Sequence, residues 1–170
     1  MTACAALASC GTGGGAVDTS RSLERYVARV EPIRLGVNRL LQGADPILNA
    51  LRENRISHRT AARRMEHLER RFAEATVDIA AVDQTGALAQ LKAEYAHTYV
   101  LEDAYLSALT SGLERGVLTD LPSTQSEQRA AIIGWRTGLM VLARKLHVTL
   151  PADLQQAGRG EIAPSAQGGS

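Results

Sequence analysis

The stretch that decides the fold is 88-LAQLKAEYAHTYVLEDAYLSALTSGL-113. At about 100° per residue, its large apolar side chains fall on one stripe of a helix, and Glu102 lies at the centre of that stripe. The apolar members of the stripe are Leu88, Leu91, Tyr95, Tyr99, Leu106, Leu109 and Leu113. A carboxylate inside an apolar face needs a partner or a proton, because an unpaired buried charge costs several kcal/mol.

Three other segments show the same helical periodicity, so the sequence predicts four helices in all. We expect the first helix to begin after the cluster of capping residues at 18–22, to break near Gly43 and to end by about Asn54. Ser57 caps the second helix, the third runs from about Thr85 to Gly116, and Thr124 with Glu127 forms a capping box for the fourth. Short connections make consecutive helices antiparallel, which predicts an all-α, up-down-up-down antiparallel four-helix bundle.

The boundaries of this bundle follow from composition. The bundle spans residues 23–158 and includes one extra turn after Pro151, and the Gly, Ser, Ala and Pro content of residues 159–170 predicts a disordered tail. A chain of 170 residues forms one ordinary domain. Nineteen basic and eighteen acidic residues give a net charge of +1, which argues against a nucleic-acid partner. No apolar run reaches the roughly 18 residues of a membrane span.

Glu102 is not the only charge that falls at an inward position of the predicted bundle. At 1.5 Å per residue from a common bundle end, Arg34 and Glu69 lie at roughly 21 Å, Glu102 at about 25 Å and Arg136 at about 18 Å. We expect Arg34 and Arg136 to pair with Glu102, and Glu69 is an additional candidate partner. The hydroxyls of two tyrosines would fill the remaining hydrogen bonds. The candidate layer therefore consists of Arg34, Glu69, Tyr95, Tyr99, Glu102 and Arg136.

This layer has three interpretations. The favoured one is a lock on helix register and helix pairing, which is the best-attested use of buried polar groups. The second is a small binding or proton-handling site in the bundle core. The third is that Arg34 and Arg136 extend their charged ends to water and form no layer.

At the N-terminus, Leu7, Ala8, Ser9 and Cys10 are followed by a glycine-rich run at 11–15. An aliphatic residue, two small residues and a cysteine resemble the lipobox of bacterial lipoproteins. The resemblance implies that Cys10 carries the lipid, that residues 1–9 are a cleaved leader and that residues 10–22 are a flexible tether. Only nine residues precede Cys10 and none is Lys or Arg, so we expect the leader to be truncated. The alternative is that Cys4 and Cys10 are incidental thiols in an unstructured tail.

Metal and enzyme motifs are weak in this sequence. Glu94 and His97 form a Glu-x-x-His pair, which is half of the ferritin-like di-iron signature, but a second pair is missing. On the helical wheel both point away from the apolar stripe. The other histidines, His58, His67 and His147, show no zinc spacing, and no nucleophile elbow or phosphate loop is present. We therefore predict no metal, no cofactor and no catalytic residue.

Seven arginines are concentrated between the first and second helices and along the second. One interpretation is a solvated helix face with i to i+4 salt bridges. The other is a surface that contacts anionic lipid headgroups or an acidic protein partner. The seven are Arg52, Arg55, Arg59, Arg63, Arg64, Arg70 and Arg71.

The sequence thus predicts a lipid-anchored helical bundle at the outer, extracytoplasmic face of the cytoplasmic membrane. Seventeen arginines against two lysines are typical of a bacterium with a GC-rich genome. We expect a non-enzymatic binding, scaffolding or accessory module. The alternative is a ferritin-like or other bundle protein that binds a small ligand or metal at a polar site around Glu102.

Overall fold

The structure is a computed structural model that describes residues 14–119 and 121–155. These two ranges contain α-helices and no strand, which confirms the all-α prediction. The helices are α1 (Gly14–Leu41), α2 (Ala44–Arg52), α3 (His58–Ala80), α4 (Ala87–Arg115) and α5 (Gln125–Leu146).

The helices form a bundle with four sides. One side consists of α1 followed by α2, and the other three are α3, α4 and α5. The contact between α3 and α4 is the most extensive, followed by that between α4 and α5. Both α1 and α2 pack against α3, and a thinner contact joins α1 to α5. Because short connections make successive sides antiparallel, this is the predicted up-down-up-down four-helix bundle.

The stretch from Leu88 to Leu113 forms the central stripe of α4, as its periodicity predicts. Leu106, Leu109 and Leu113 are completely buried, and Leu91 is the only stripe residue that is half-buried. Gly116 ends the helix in the left-handed conformation at φ +69°, which glycine adopts without a steric penalty.

Two other helix boundaries also agree with the sequence. Ser57 has an extended backbone, and its Oγ accepts a hydrogen bond from the Thr60 N–H at 3.2 Å. This is the predicted N-cap of α3. The predicted break near Gly43 is the interruption between α1 and α2.

The predicted start of the first helix is wrong. It begins at Gly14, so part of the expected tether over residues 10–22 is helical. Leu23 and Tyr26 are completely buried, and Ser20 Oγ donates a hydrogen bond to the Leu146 carbonyl at 3.3 Å. Contact with the end of α5 therefore extends the helix through residues 18–22. From their polar side chains alone, these residues resemble a capping cluster.

The capping box predicted at Thr124 is also wrong. Thr124 has φ −77° and ψ −17°, and its side chain makes no capping hydrogen bond. An N-cap side chain reaches the following N–H groups from an extended backbone. Since Thr124 is already in the helical conformation, Glu127 has no reciprocal partner there.

After α5 the chain reverses and returns along the bundle as a short segment, residues 148–155, which we call the strap. His147 occupies the left-handed conformation at φ 55°, and the Val148 N–H donates to the Ala143 carbonyl at 2.9 Å. Leu150 and Leu154 of the strap are buried in the core. The turn predicted after Pro151 forms here, and the predictions for residues 1–13 and 159–170 lie outside the described residues.

Candidate functional site

The buried charged layer combines residues of α1, α4 and α5. Arg34 is 2% exposed, Glu102 is 0% exposed and Arg136 is 6% exposed, although all three are ionisable. Glu69 of α3 is only half-buried. The predicted pairing of Glu102 with the two arginines stays a prediction, but the burial of all three residues agrees with an inward-facing layer.

Arg34 has two acidic partners that the sequence interpretation did not assign. Its Nε and Nη2 donate to the two carboxylate oxygens of Glu31, at 3.1 and 2.9 Å. Its Nη2 also contacts Oδ2 of Asp153 in the strap. The Glu31 pair could have been found from its i, i+3 spacing. No local pattern indicates Asp153, because the strap and α1 are far apart in sequence.

Asp153 also contacts the second buried arginine. Arg136 Nη1 donates to the Asp153 backbone carbonyl at 3.4 Å. One strap residue therefore connects guanidinium groups from α1 and α5, with its side chain on Arg34 and its main chain on Arg136. Guanidinium donors suit this arrangement because several N–H groups diverge from one planar, permanently charged group.

Aromatic side chains from all four sides of the bundle are gathered in one cluster. The ring of Tyr95 stacks on Trp135 with centroids 3.9 Å apart, and Phe72 stacks on Tyr99 at 5.5 Å. Trp135 Nε1 donates to the Tyr26 hydroxyl at 3.0 Å. The tyrosine hydroxyls of α4, predicted to serve the charged layer, lie 3.2 Å from each other. Their hydrogen bonding to the layer stays a prediction.

The Glu69 carboxylate, predicted as an additional partner of Arg34 and Arg136, acts electrostatically on Asp103 of α4. The pKa of Asp103 is raised above its ordinary value, first by burial and second by the negative charge of Glu69. The like charge of Glu69 on the neighbouring helix disfavours ionisation of Asp103. This electrostatic effect couples α3 to α4 at their half-buried boundary.

A cavity of about 460 Å³ opens between α1 and the strap. Val27 and Leu35 line it from α1, and Val148 and Pro151 line it from the strap. Glu31, which holds Arg34, is also part of its wall. The cavity therefore adjoins the point where the strap meets the charged layer.

Five exposed arginines form a second candidate site on the outside of α3, which we call the basic face. It consists of Arg59, Arg63, Arg64, Arg70 and Arg71. The i to i+4 salt bridges expected here are not formed, since no basic-face residue has an ion pair with any other described residue. The remaining two arginines of the cluster have local partners: Arg52 donates to Asn49 and Arg55 to Glu53, both at 2.6 Å.

The half di-iron motif lies at the surface. His97 is 55% exposed and lies 3.8 Å from Glu127, while Glu94 accepts a hydrogen bond from Gln90 at 3.0 Å. In the part of the chain that the structure describes, no group of three or more His, Cys, Asp or Glu side chains is arranged to hold a metal ion. Over the same ranges, no helix combines the length and apolar character that a membrane span requires. Cys10 lies outside these ranges.

Neither a protein family, nor a curated protein, nor a solved structure matches this chain.

Proposed function

We propose that this chain is a non-enzymatic binding or scaffolding module, held at the outer face of the cytoplasmic membrane through a lipid on Cys10. The observation that carries the binding role is the basic face, where five arginines are exposed and none has an ion pair with any residue in the described ranges 14–119 and 121–155. Guanidinium groups bind carboxylates through two parallel hydrogen bonds, and these groups remain available for a partner.

The arrangement of the basic face suits one extended acidic surface. Arg59, Arg63 and Arg70 have the spacing of one helix stripe, and they are exposed on the side opposite the buried stripe of α3. Arg64 and Arg71 lie together on one side of that stripe. The partner that fits such a surface is a protein segment with several Asp or Glu residues at similar spacing.

The position of the basic face favours a protein partner over the headgroups of the anchoring membrane. Because α3 is antiparallel to α1, Arg71 lies about 14 Å and Arg59 about 31 Å from the bundle end at which α1 begins. Three residues separate Cys10 from Gly14, so the four residue steps between them span at most about 14 Å. An upright bundle would hold most of the basic face more than one Debye length, about 8 Å, from the headgroups.

The binding role is tested with poly-glutamate and with vesicles of phosphatidylglycerol and phosphatidylcholine as probes. The variant Arg59→Gln, Arg63→Gln, Arg70→Gln removes the central stripe. Its matched control, Arg29→Gln, Arg115→Gln, Arg129→Gln, removes three exposed arginines elsewhere and changes the net charge equally. We expect poly-glutamate binding to weaken about tenfold in the stripe variant only.

Two results would contradict a specific acidic protein partner. Equal weakening in both triple variants would show that net charge alone drives binding. Tighter binding of the protein to anionic vesicles than to poly-glutamate would show that the basic face binds lipid headgroups. The measurement is fluorescence anisotropy at two salt concentrations, because an electrostatic interface weakens as salt rises.

The membrane address is tested on the protein made in a bacterial cell from its full gene. Mass spectrometry of the mature chain should find Cys10 at the N-terminus with acyl chains, which at about 0.8 kcal/mol per buried methylene give stable anchoring. Cys10→Ser should release the protein from the membrane fraction, whereas Cys4→Ser should not. An unmodified Cys10 would remove the anchor from the proposal and leave the basic face unaffected.

A further inference from the structure

The strap covers a polar site that is built like a binding site for an acidic residue. Arg34 and Arg136 come from two different helices and are almost completely buried. They converge on Asp153, which offers its carboxylate to Arg34 and its backbone carbonyl to Arg136. The two arginines therefore recognise two features of one residue. Arg34 binds the negative charge of the side chain, and Arg136 binds the backbone carbonyl.

Beyond this site, the strap is attached to the helices by the burial of Leu150 and Leu154 and by the hydrogen bond from the Val148 N–H to the Ala143 carbonyl. Its turn is closed by its own hydrogen bonds, from the Leu154 N–H to the Pro151 carbonyl at 3.0 Å and from Gln155 Nε2 to the Leu150 carbonyl at 2.6 Å. Those bonds stay intact if the strap leaves as a unit. If the strap left the bundle, Leu150 and Leu154 would lose their burial, and Asp153 would lose its contacts with Arg34 and Arg136.

The site is also reachable by a competitor. The Asp153 side chain is 46% exposed, so solvent reaches the outer side of the ion pair with Arg34. The cavity between α1 and the strap adjoins the same place and shares Glu31 with it. Direct contact between α1 and α5 is thin, and the strap contacts both helices beside this seam.

We propose that Arg34 and Arg136 form a recognition site for an acidic residue in a peptide segment of a partner protein, which the strap occupies in the free protein. The sequence of the strap defines the chemistry of the ligand. In Leu150-Pro151-Ala152-Asp153-Leu154, two leucines enter the core on either side of the carboxylate. The partner segment carries an Asp or Glu flanked by apolar side chains at this spacing, and its binding displaces the strap.

The test supplies the strap sequence as a separate peptide to the full chain. The probe is a fluorescein-labelled peptide of residues 148–155, measured by anisotropy against the wild type, Asp153→Ala, and the double variant Asp153→Ala, Leu154→Ala. A covalently attached competitor acts at an effective concentration near the millimolar range. We therefore expect peptide affinity to rise at least tenfold from the wild type to Asp153→Ala and further in the double variant.

The matched controls distinguish specific binding of the Asp side chain from nonspecific peptide binding. A peptide with Asn in place of Asp should bind at least tenfold more weakly to the same variants, and Asp83→Ala, which removes an exposed carboxylate elsewhere, should behave as the wild type. Far-ultraviolet circular dichroism verifies that each variant keeps its helices. Hydrogen exchange of the Leu154 and Gln155 amides should be faster in Asp153→Ala than in the wild type.

Three results would overturn the proposal. These are no peptide binding by folded variants, equal binding of the Asp and Asn peptides, and exchange of the strap amides only together with the amides of α5. The third would show that the strap opens only when the bundle unfolds, so no partner could replace it in the native protein.

Discussion

The two sides of the bundle formed by α3 with α4 and by α1 with α5 are closed in different ways. Apolar and aromatic side chains close the first directly, with Phe72 stacked on Tyr99 and Leu109 completely buried. On the second, the helices meet over a thinner contact, and the strap covers the seam. The charged contacts of that seam run from Arg34 and Arg136 to Asp153.

This difference indicates where the protein can change without unfolding. Apolar helix contacts are lost only when whole faces separate, so the α3–α4 side belongs to the globally cooperative part of the fold. A short segment held by two leucines and one acidic residue can open locally at a lower free energy. The contrast assigns stability to the α3–α4 side and adaptability to the α1–α5 seam.

The largest expected effect comes from the same substitution made on each side. Leu109→Ala removes a completely buried side chain of α4, and we expect it to lower the free energy of unfolding by about 3–4 kcal/mol. Leu154→Ala removes an equally large buried side chain of the strap, but we expect a loss of only about 1 kcal/mol, because local opening of the strap limits the effect. Urea unfolding of both variants measures the difference.

The matched control for this pair is Val141→Ala on α5, where the side chain is exposed and the change should be within about 0.5 kcal/mol of zero. Equal losses at Leu109 and Leu154 would remove the contrast between the two sides. The strap would then be as integral to the fold as α4.

The next effect concerns Glu102, whose partners the sequence predicts. Glu102→Leu and Arg34→Met should each destabilise the protein, the first by about 3 kcal/mol, because each removes one charge of a buried layer. If the two residues pair, the double variant should be less destabilised than the sum by about 1–3 kcal/mol. The same cycle between Glu102→Leu and Arg59→Met, which is exposed on α3, should be additive within about 0.5 kcal/mol.

An additive cycle between Glu102 and Arg34 would contradict the predicted pair. The register-lock interpretation of the layer would then rest on Arg34 with Glu31 and Asp153 alone. Far-ultraviolet circular dichroism and the urea m-value verify that each variant keeps its helices and its two-state transition.

How much of this could be predicted from sequence depends on the range of the interaction. Helical periodicity placed Leu106, Leu109 and Glu102 inside α4, because side-chain direction in a helix follows from spacing alone. It also placed Arg34 and Arg136 at buried positions, because Arg34 lies in the middle of an apolar stripe and Arg136 borders one.

Periodicity could not reveal the strap. The link from Asp153 to Arg34 joins two segments distant in sequence, and the strap has no regular period. The start of α1 was missed for a related reason, since the bond from Ser20 to Leu146 is also a tertiary contact. Both of these missed tertiary contacts lie at the α1–α5 seam.

The smallest expected effect concerns Asp103 of α4, which lies near the like charge of Glu69 on α3. Burial, and then the charge of Glu69, raise the pKa of Asp103 above its ordinary value of 3.8. The folded chain therefore holds this proton more tightly than the unfolded chain, and the contribution of Asp103 to stability falls as pH rises through 3.8 to the raised pKa. Asp103→Asn should raise the thermal midpoint at pH 7, and the gain should shrink below pH 3.8.

Two companion variants separate the two causes. Glu69→Gln removes only the neighbouring charge, so we expect a smaller gain at pH 7 than that of Asp103→Asn, because burial is the larger cause. Asp78→Asn, at an exposed position of α3, should change the midpoint little at either pH. A gain from Asp103→Asn that is the same at pH 7 and below pH 3.8 would show that the amide stabilises the fold through packing. In that case the tightly closed α3–α4 side would carry no electrostatic strain.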